Sequence, residues 1–135
     1  MAPRTARKGT KMFKVGEIVK YSPKFCGEGE QYYIHMVAEA DRGAYLIHTL
    51  NSLLTLGSSE RVREEMIQKA KKYEVILNRD RKNRKYIVTD TESKKFFAGY
   101  DFMGSVEWVD EDTEATAMEL DEAEQIASDL ESADM

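Results

Sequence analysis

The chain contains few of the residues that cross-link a fold or bind metals. It has one cysteine, Cys26, and two histidines among 135 residues. A single cysteine cannot form an intrachain disulfide, which is typical of a reducing compartment, so we expect a cytoplasmic protein. No apolar stretch approaches the roughly 18 residues that a membrane span needs. Residues 1–11 are basic but have no apolar stretch after them, so no secretory signal is predicted.

Residues that could carry catalysis are equally scarce. Cys26 could pair with His35 or His48 as nucleophile and base, but no third group is evident that would orient the base. One cysteine and two scattered histidines lack the paired spacing of a zinc site. The acidic run 110–114 lacks the glycine and the ligand spacing of a calcium-binding loop. We therefore expect a protein that is not an enzyme and that holds no metal or cofactor.

Basic residues are absent from the last 40 positions. All 20 Lys and Arg lie in residues 1–95 together with 12 Asp and Glu, whereas residues 96–135 contain 13 acidic residues and no basic one. The two parts carry formal charges of +8 and −13, which together give the net −5 of the chain. Charge asymmetry of this kind indicates charged macromolecular partners.

The first half is expected to fold as a small β-barrel. Residues 1–11 are interpreted as a disordered basic arm, since they are polar and lie at a terminus. Residues 12–57 contain several short strand-like segments with close turns, including the tight turn Asp41-Arg42-Gly43. A linking helix is predicted over residues 58–72, because a serine can cap it and apolar residues follow at helical spacing. These residues are Val62, Met66, Ala70 and Tyr73.

The second half, residues 73–135, is expected to form an antiparallel sheet with a C-terminal helix. Residues 73–77, 85–89, 94–100 and 105–109 have strand-like patterns separated by polar turns. Asp121 can cap a helix, with Glu124 as its reciprocal partner. Ala123, Ile126, Ala127 and Leu130 form an apolar stripe on that helix. The predicted fold class is therefore α+β.

Two segments resemble known protein classes. The opening strand Val15-Gly16-Glu17-Ile18-Val19-Lys20-Tyr21, followed by a loop and a meander, resembles the SH3-like small barrels of the KOW and Tudor type over residues 12–57. That class includes nucleic-acid binders and peptide binders. Residues 85–131, with aromatic strands, Trp108, an acidic turn and a capped helix, resemble the β-meander-plus-helix modules of short phage and mobile-element proteins. This second resemblance implies a small binding protein like the anti-CRISPR proteins.

The hairpin between the first two strands of the second half is strongly basic. Hairpin tips ordinarily use Gly, Asn or Asp, and a cluster of like charges repels itself. Contact with phosphates, docking on an acidic protein surface and a solvated tip all remain open interpretations. The candidate binding residues here are Arg79, Arg81, Lys82, Arg84 and Lys85.

The acidic end is the second candidate surface. A solvated helix face is one interpretation of it. The other is a negative surface that imitates nucleic acid and occupies the basic groove of another protein. The candidate partner-binding residues are Asp110, Glu111, Asp112, Glu122 and Glu124.

The expected function is therefore binding without catalysis. The preferred hypothesis is a phage or mobile-element protein that binds a host nucleic-acid-binding protein and inhibits it. The alternative is an accessory protein that binds DNA or RNA directly through the basic arm, the barrel and the basic hairpin. No membrane partner is expected, and the sequence leaves the oligomeric state open.

Overall fold

The computed structural model describes residues 12–27, 30–51, 59–78 and 85–134. The fold is mixed α+β, as predicted, with two antiparallel sheets and a C-terminal α-helix. The basic arm 1–11, the strand-like segment 53–56 and the hairpin residues 79–84 lie outside the described residues. The first sheet consists of β1 (Ile18–Tyr21), β2 (His35–Asp41), β3 (Ala44–Thr49), β4 (Ser59–Arg63) and β5 (Ile67–Lys69). The second consists of β6 (Tyr73–Leu77), β7 (Tyr86–Asp90), β8 (Lys95–Tyr100) and β9 (Val106–Val109), and the helix is α1 (Leu120–Ala133).

The first sheet has the strand order β4-β3-β2-β1-β5. Its central hairpin closes where predicted, because Arg42 (φ 50°) and Gly43 (φ 84°) both adopt the positive φ values of a two-residue hairpin turn. Alternation along the strands directs buried residues from all five strands into a single core, among them Val19, Val37, Ile47, Val62 and Ile67. Among the described strands β4 and β5 are the two edges and do not pair with each other, so this sheet is open.

The predicted linking helix over residues 58–72 is wrong for the part that the structure describes. Residues 59–69 instead form β4, a 3₁₀ turn at Glu64–Met66, and β5. Ser59–Arg63 supplies the outer partner of β3, and Ile67–Lys69 pairs with β1. Val62 and Ile67 are both buried, at a spacing that a helix face does not explain. Sheet pairing with distant strands therefore overrides a local helical pattern.

The second sheet is a meander in the order β6-β7-β8-β9, and it forms the middle layer of the molecule. We call residues 12–72 the first module and residues 73–134 the second module. One face of the second sheet, with Ile76, Ile87 and Phe96, packs against Ile18 and Ile34 of the first module. The other face is covered by α1 and forms a second core with Tyr73, Val88, Phe97, Ala123 and Leu130. The consecutive residues Phe96 and Phe97 therefore serve opposite faces, as strand alternation predicts.

The apolar stripe of α1 is confirmed, whereas its predicted cap is wrong. Ala123 and Leu130 are buried, and Ile126 and Ala127 pack against the same core. The helix begins at Leu120 with Glu119 at the N-cap, and Asp121 accepts a hydrogen bond from the adjacent Glu122 N–H (3.0 Å) instead of capping. The pairing of Met118 with Tyr86 fixes the chain just before the helix. The helix therefore begins two residues before the start predicted from a cap at Asp121. No described helix is long and apolar enough to cross a bilayer.

Two buried polar residues join the modules. Asn51 accepts a hydrogen bond from the Ile34 N–H (2.8 Å) and donates to the carbonyls of Tyr32 (2.8 Å) and Leu77 (3.1 Å). Glu74 on β6 forms an ion pair with Lys20 on β1, with Nζ and Oε1 3.0 Å apart. These contacts fix the second module, and with it the helix, against the first sheet.

Candidate partner-binding surface

The outward side of α1 carries carboxylates and no basic side chain. Because the apolar stripe faces the second sheet, the acidic residues are left on the opposite arc, where all are exposed. We call this set the acidic helix face: Asp121, Glu122, Glu124, Asp129 and Glu131. None of the five forms an ion pair with a Lys or Arg in the described part of the chain. Within the helix, the side-chain amide of Gln125 donates a hydrogen bond to the Asp129 carboxylate (2.8 Å).

An open cleft of about 360 Å³ runs along one side of this helix. Its walls include Glu124 and Glu131 of the acidic helix face and the lysines Lys20 and Lys71 of the opposite wall. Lys20 is already engaged by Glu74, and Lys71 is the second lysine that lines this cleft. The other three acids of this face, Asp121, Glu122 and Asp129, do not line the cleft.

The predicted acidic residues do not form one continuous surface. Glu122 and Glu124 lie on α1, which packs over β6 and β7, whereas Asp110, Glu111 and Asp112 follow β9 and lie beside β8. Asp112 borders a separate cavity of about 200 Å³ between the two sheets. The structure therefore divides these candidates into a helix group, Glu122 and Glu124, and a turn group, Asp110, Glu111 and Asp112.

Lysines from earlier in the chain neutralise part of the acidic end. Asp110 pairs with Lys95 (Nζ–Oδ1, 2.7 Å), Glu119 pairs with Lys85, and Asp134 pairs with Lys72 (2.7 Å). The hydrogen bond between Lys72 and Asp134 raises the pKa of Lys72 and lowers the pKa of Asp134. All three pairs are substantially exposed, so each contributes little to stability. Glu111 is exposed, and it has no such partner among the described residues.

The basic hairpin is described only at its base. Lys85 accepts a hydrogen bond at its carbonyl from the Asn78 N–H (2.8 Å), and its side chain is engaged by Glu119. Arg79, Arg81, Lys82 and Arg84 lie outside the described residues. The placement of these four candidates therefore stays a prediction.

No hydrogen bond joins Cys26 to either histidine among the described residues. Cys26 is half-buried, and burial, followed by the charge of Glu30, raises the pKa of its thiol. His35 is buried, and its Nδ1 atom forms a hydrogen bond with the Thr49 hydroxyl (3.1 Å). Its ring packs edge-on against Tyr21. Burial lowers the pKa of His35 to about 4. Within the described ranges no cluster of three or more His, Cys, Asp or Glu is placed to hold a metal ion.

Sequence reasoning missed one apolar surface, at the turn between β8 and β9. Phe102 is 96% exposed and Met103 is 75% exposed, and Tyr100 beside them is half exposed. Aromatic side chains are more often buried than exposed, so no aromatic surface was predicted at this turn. The available signal was their position in a turn that ends in Gly104 (φ 86°), where a buried side chain is unusual.

No family model matches the chain, and neither a curated protein nor a solved structure matches it. The charges and contacts of the described residues are therefore what bears on its function.

Proposed function

We propose that this protein binds a nucleic-acid-binding protein through the acidic helix face and inhibits it, in the manner of the anti-CRISPR proteins of phages and mobile elements. The observation that carries this proposal is the arc of five exposed carboxylates on a helix whose other side is packed in the core. Such an arc is rigid and has no described cationic partner, so it can meet the Lys and Arg side chains of a basic groove.

The length of the acidic helix face is comparable to a short stretch of nucleic acid. Ten residue steps separate Asp121 from Glu131, which at the helical rise correspond to roughly 15 Å. One strand of duplex DNA places a phosphate about every 3.4 Å along its axis, so roughly four phosphates occupy the same length. Five carboxylates over that distance present a similar linear charge density to a basic groove.

The distribution of charge between the modules favours this surface over direct nucleic-acid binding. Residues 85–134 contain 15 acidic and 3 basic residues, a formal charge of −12. The described residues between 12 and 78 contain nine basic and eight acidic residues and are nearly neutral, whereas residues 1–11 and 79–84 carry formal charges of +4 and +3. A phosphate backbone would be repelled by residues 85–134, so direct binding of nucleic acid would depend on residues 1–11 and 79–84.

The first module has features that support the SH3-like interpretation. Four strands in a meander are followed by a 3₁₀ turn and a fifth strand that returns to pair with β1. All five strands contribute to one core, as strands of a small barrel do. Direct binding of DNA or RNA by this module, together with residues 1–11 and 79–84, is the second candidate function.

A matched pair of variants tests the acidic helix face. One carries E122Q, E124Q, D129N and E131Q, and the control carries E39Q, D41N, E65Q and E92Q, which removes the same charge from exposed positions elsewhere. Each protein is immobilised and exposed to a nuclease-treated bacterial lysate, and retained proteins are tested for binding of labelled DNA and RNA. We expect the wild type and the control to retain a nucleic-acid-binding protein and the helix variant to lose it.

The second candidate function has its own test. Gel-shift titration of labelled duplex DNA and single-stranded RNA at about 0.05 M salt, where phosphate contacts are strongest, detects direct binding. We expect no shift with the intact chain. A shift that is removed by replacing Arg81, Lys82 and Arg84 with Glu would favour direct binding over the acidic surface.

A further inference from the structure

We propose that the turn joining β8 and β9 is an apolar anchor that inserts into a pocket on the partner protein, and that Lys and Arg side chains surround this pocket. We call residues 100–105 the hairpin tip. The proposal rests on the proposed function, because it concerns the same partner, and it adds a second contact of different chemistry.

The hairpin tip exposes more apolar surface than a turn needs. Phe102 and Met103 are 96% and 75% exposed, and neither belongs to any of the three described core clusters. An exposed phenylalanine contributes nothing to folding through burial, and exposed apolar side chains grouped together commonly mark interaction sites. The two side chains are adjacent and lie at the end of a protruding hairpin, where they can enter a pocket.

The backbone of the hairpin tip is held in one conformation. The Asp101 carboxylate accepts hydrogen bonds from the N–H groups of Met103 and Ser105, both at 2.9 Å. The Asp101 N–H donates to the Ser105 carbonyl (2.8 Å), and the Gly104 N–H donates to the Asp101 carbonyl (2.9 Å). At its base Tyr100 packs edge-on against the buried Phe97, with ring centroids 5.4 Å apart. A turn ordered in this way loses little conformational entropy when it binds, which raises affinity.

Charge complementarity identifies the occupant as a protein pocket with a basic rim. Every charged residue after Lys95 is acidic: Asp101 lies within the hairpin tip, and Glu107 follows the tip in β9. Anionic lipid and nucleic acid would both be repelled by these carboxylates. A basic surface with an apolar pocket is attracted by the carboxylates and accommodates the phenylalanine, and aromatic side chains in such pockets often dominate binding energy.

The experiment uses the full chain and the protein retained in the capture test above, purified and titrated by calorimetry. The tip variant F102S/M103S is compared with M12S/V15S, which removes two comparably exposed apolar side chains at a different place. Phe102→Leu serves as a conservative variant. We expect the tip variant to weaken binding at least about tenfold, from the lost apolar burial. The M12S/V15S and Phe102→Leu variants should stay within about threefold of the wild type.

The outcomes distinguish the anchor from the acidic helix face. Unchanged affinity of the tip variant overturns the anchor, and if E122Q/E124Q/D129N/E131Q still weakens binding, the acidic helix face stands. The opposite pair of results overturns the acidic helix face and supports the anchor. Two further results would also overturn the anchor. One is that the wild type sediments with phosphatidylglycerol vesicles and the tip variant does not. The other is that the wild type self-associates in sedimentation velocity and the tip variant does not. Failure of the wild type to retain any protein overturns both.

Discussion

The stability of the first module should depend on the protonation of His35. This residue is 4% exposed and lies at the start of β2, and its Nε2 has no hydrogen-bond partner among the described residues. Burial lowers its pKa to about 4, and the positive charge of Lys20 acts in the same direction, while Glu60 opposes it. In the unfolded chain a histidine has a pKa of about 6.5. The folded protein therefore favours the neutral imidazole.

The sign and size of the effect follow from these two pKa values. Below pH 6.5 the unfolded chain binds a proton at His35 that the folded protein binds only near pH 4, so acid favours unfolding. The contribution of neutral His35 to the free energy of unfolding is fully present above pH 6.5, decreases as the pH falls, and is lost below pH 4. Between pH 8 and pH 5 the linkage relation gives a loss of about 2 kcal/mol in the free energy of unfolding. Most carboxylates stay ionised over that interval.

Urea unfolding at pH 8, 6.5 and 5 measures this loss, with two variants for comparison. His35→Gln should be less stable at pH 8 but should lose little further stability at pH 5. His48→Gln, which removes the other histidine of the chain, should keep the loss of about 2 kcal/mol. Imidazole proton signals in NMR then identify the group, since one signal should titrate near pH 4 and be absent in His35→Gln. A His35 signal that titrates between pH 6 and pH 7 would refute the reasoning.

Three further predictions concern the contacts that hold the layers together, each measured by urea unfolding. Leu130→Ala should cost about 2–4 kcal/mol, because the site under α1 is buried; a loss under 1 kcal/mol would show that the helix does not pack there. Asn51→Ala should cost about 2–3 kcal/mol, because it leaves the Ile34 N–H and the Leu77 carbonyl without their partner, and full stability would contradict its joining role. Glu74→Gln should cost about 2–3 kcal/mol by leaving Lys20 unpaired, and Glu74→Asp should recover part of that loss, whereas equal stability of both would refute the ion pair.

Local sequence patterns predicted the second module well. The four strands of the meander lie within one residue of their predicted bounds, because apolar alternation and short polar turns are local signals. The stripe on α1 was also visible, since Ala123, Ile126, Ala127 and Leu130 follow helical spacing. The first residue of the helix was not visible in the sequence, because it depends on the pairing of Met118 with Tyr86. These two residues are about 30 positions apart in the chain.

Contacts between distant residues account for what was not predicted. Residues 59–69 look helical locally, yet they become strands because β3 and β1 lack outer partners without them. The role of Asn51 depends on carbonyls from two other segments, and no local pattern contains it. Likewise, a count of charges cannot show that Lys72, Lys85 and Lys95 neutralise three of the acidic residues. The exposed hairpin tip was missed because aromatic residues are more often buried.

Competition for the partner tests the central claim most directly. Labelled DNA or RNA is bound to the captured nucleic-acid-binding protein, and fluorescence anisotropy follows its release as this protein is added. We predict stoichiometric release by the wild type and by E39Q/D41N/E65Q/E92Q, and release by E122Q/E124Q/D129N/E131Q only at concentrations at least about tenfold higher. Release should also weaken as salt rises, since charge attraction is screened. Formation of a ternary complex without release, or equal potency of the two variants, would contradict the claim that the acidic helix face occupies the nucleic-acid site.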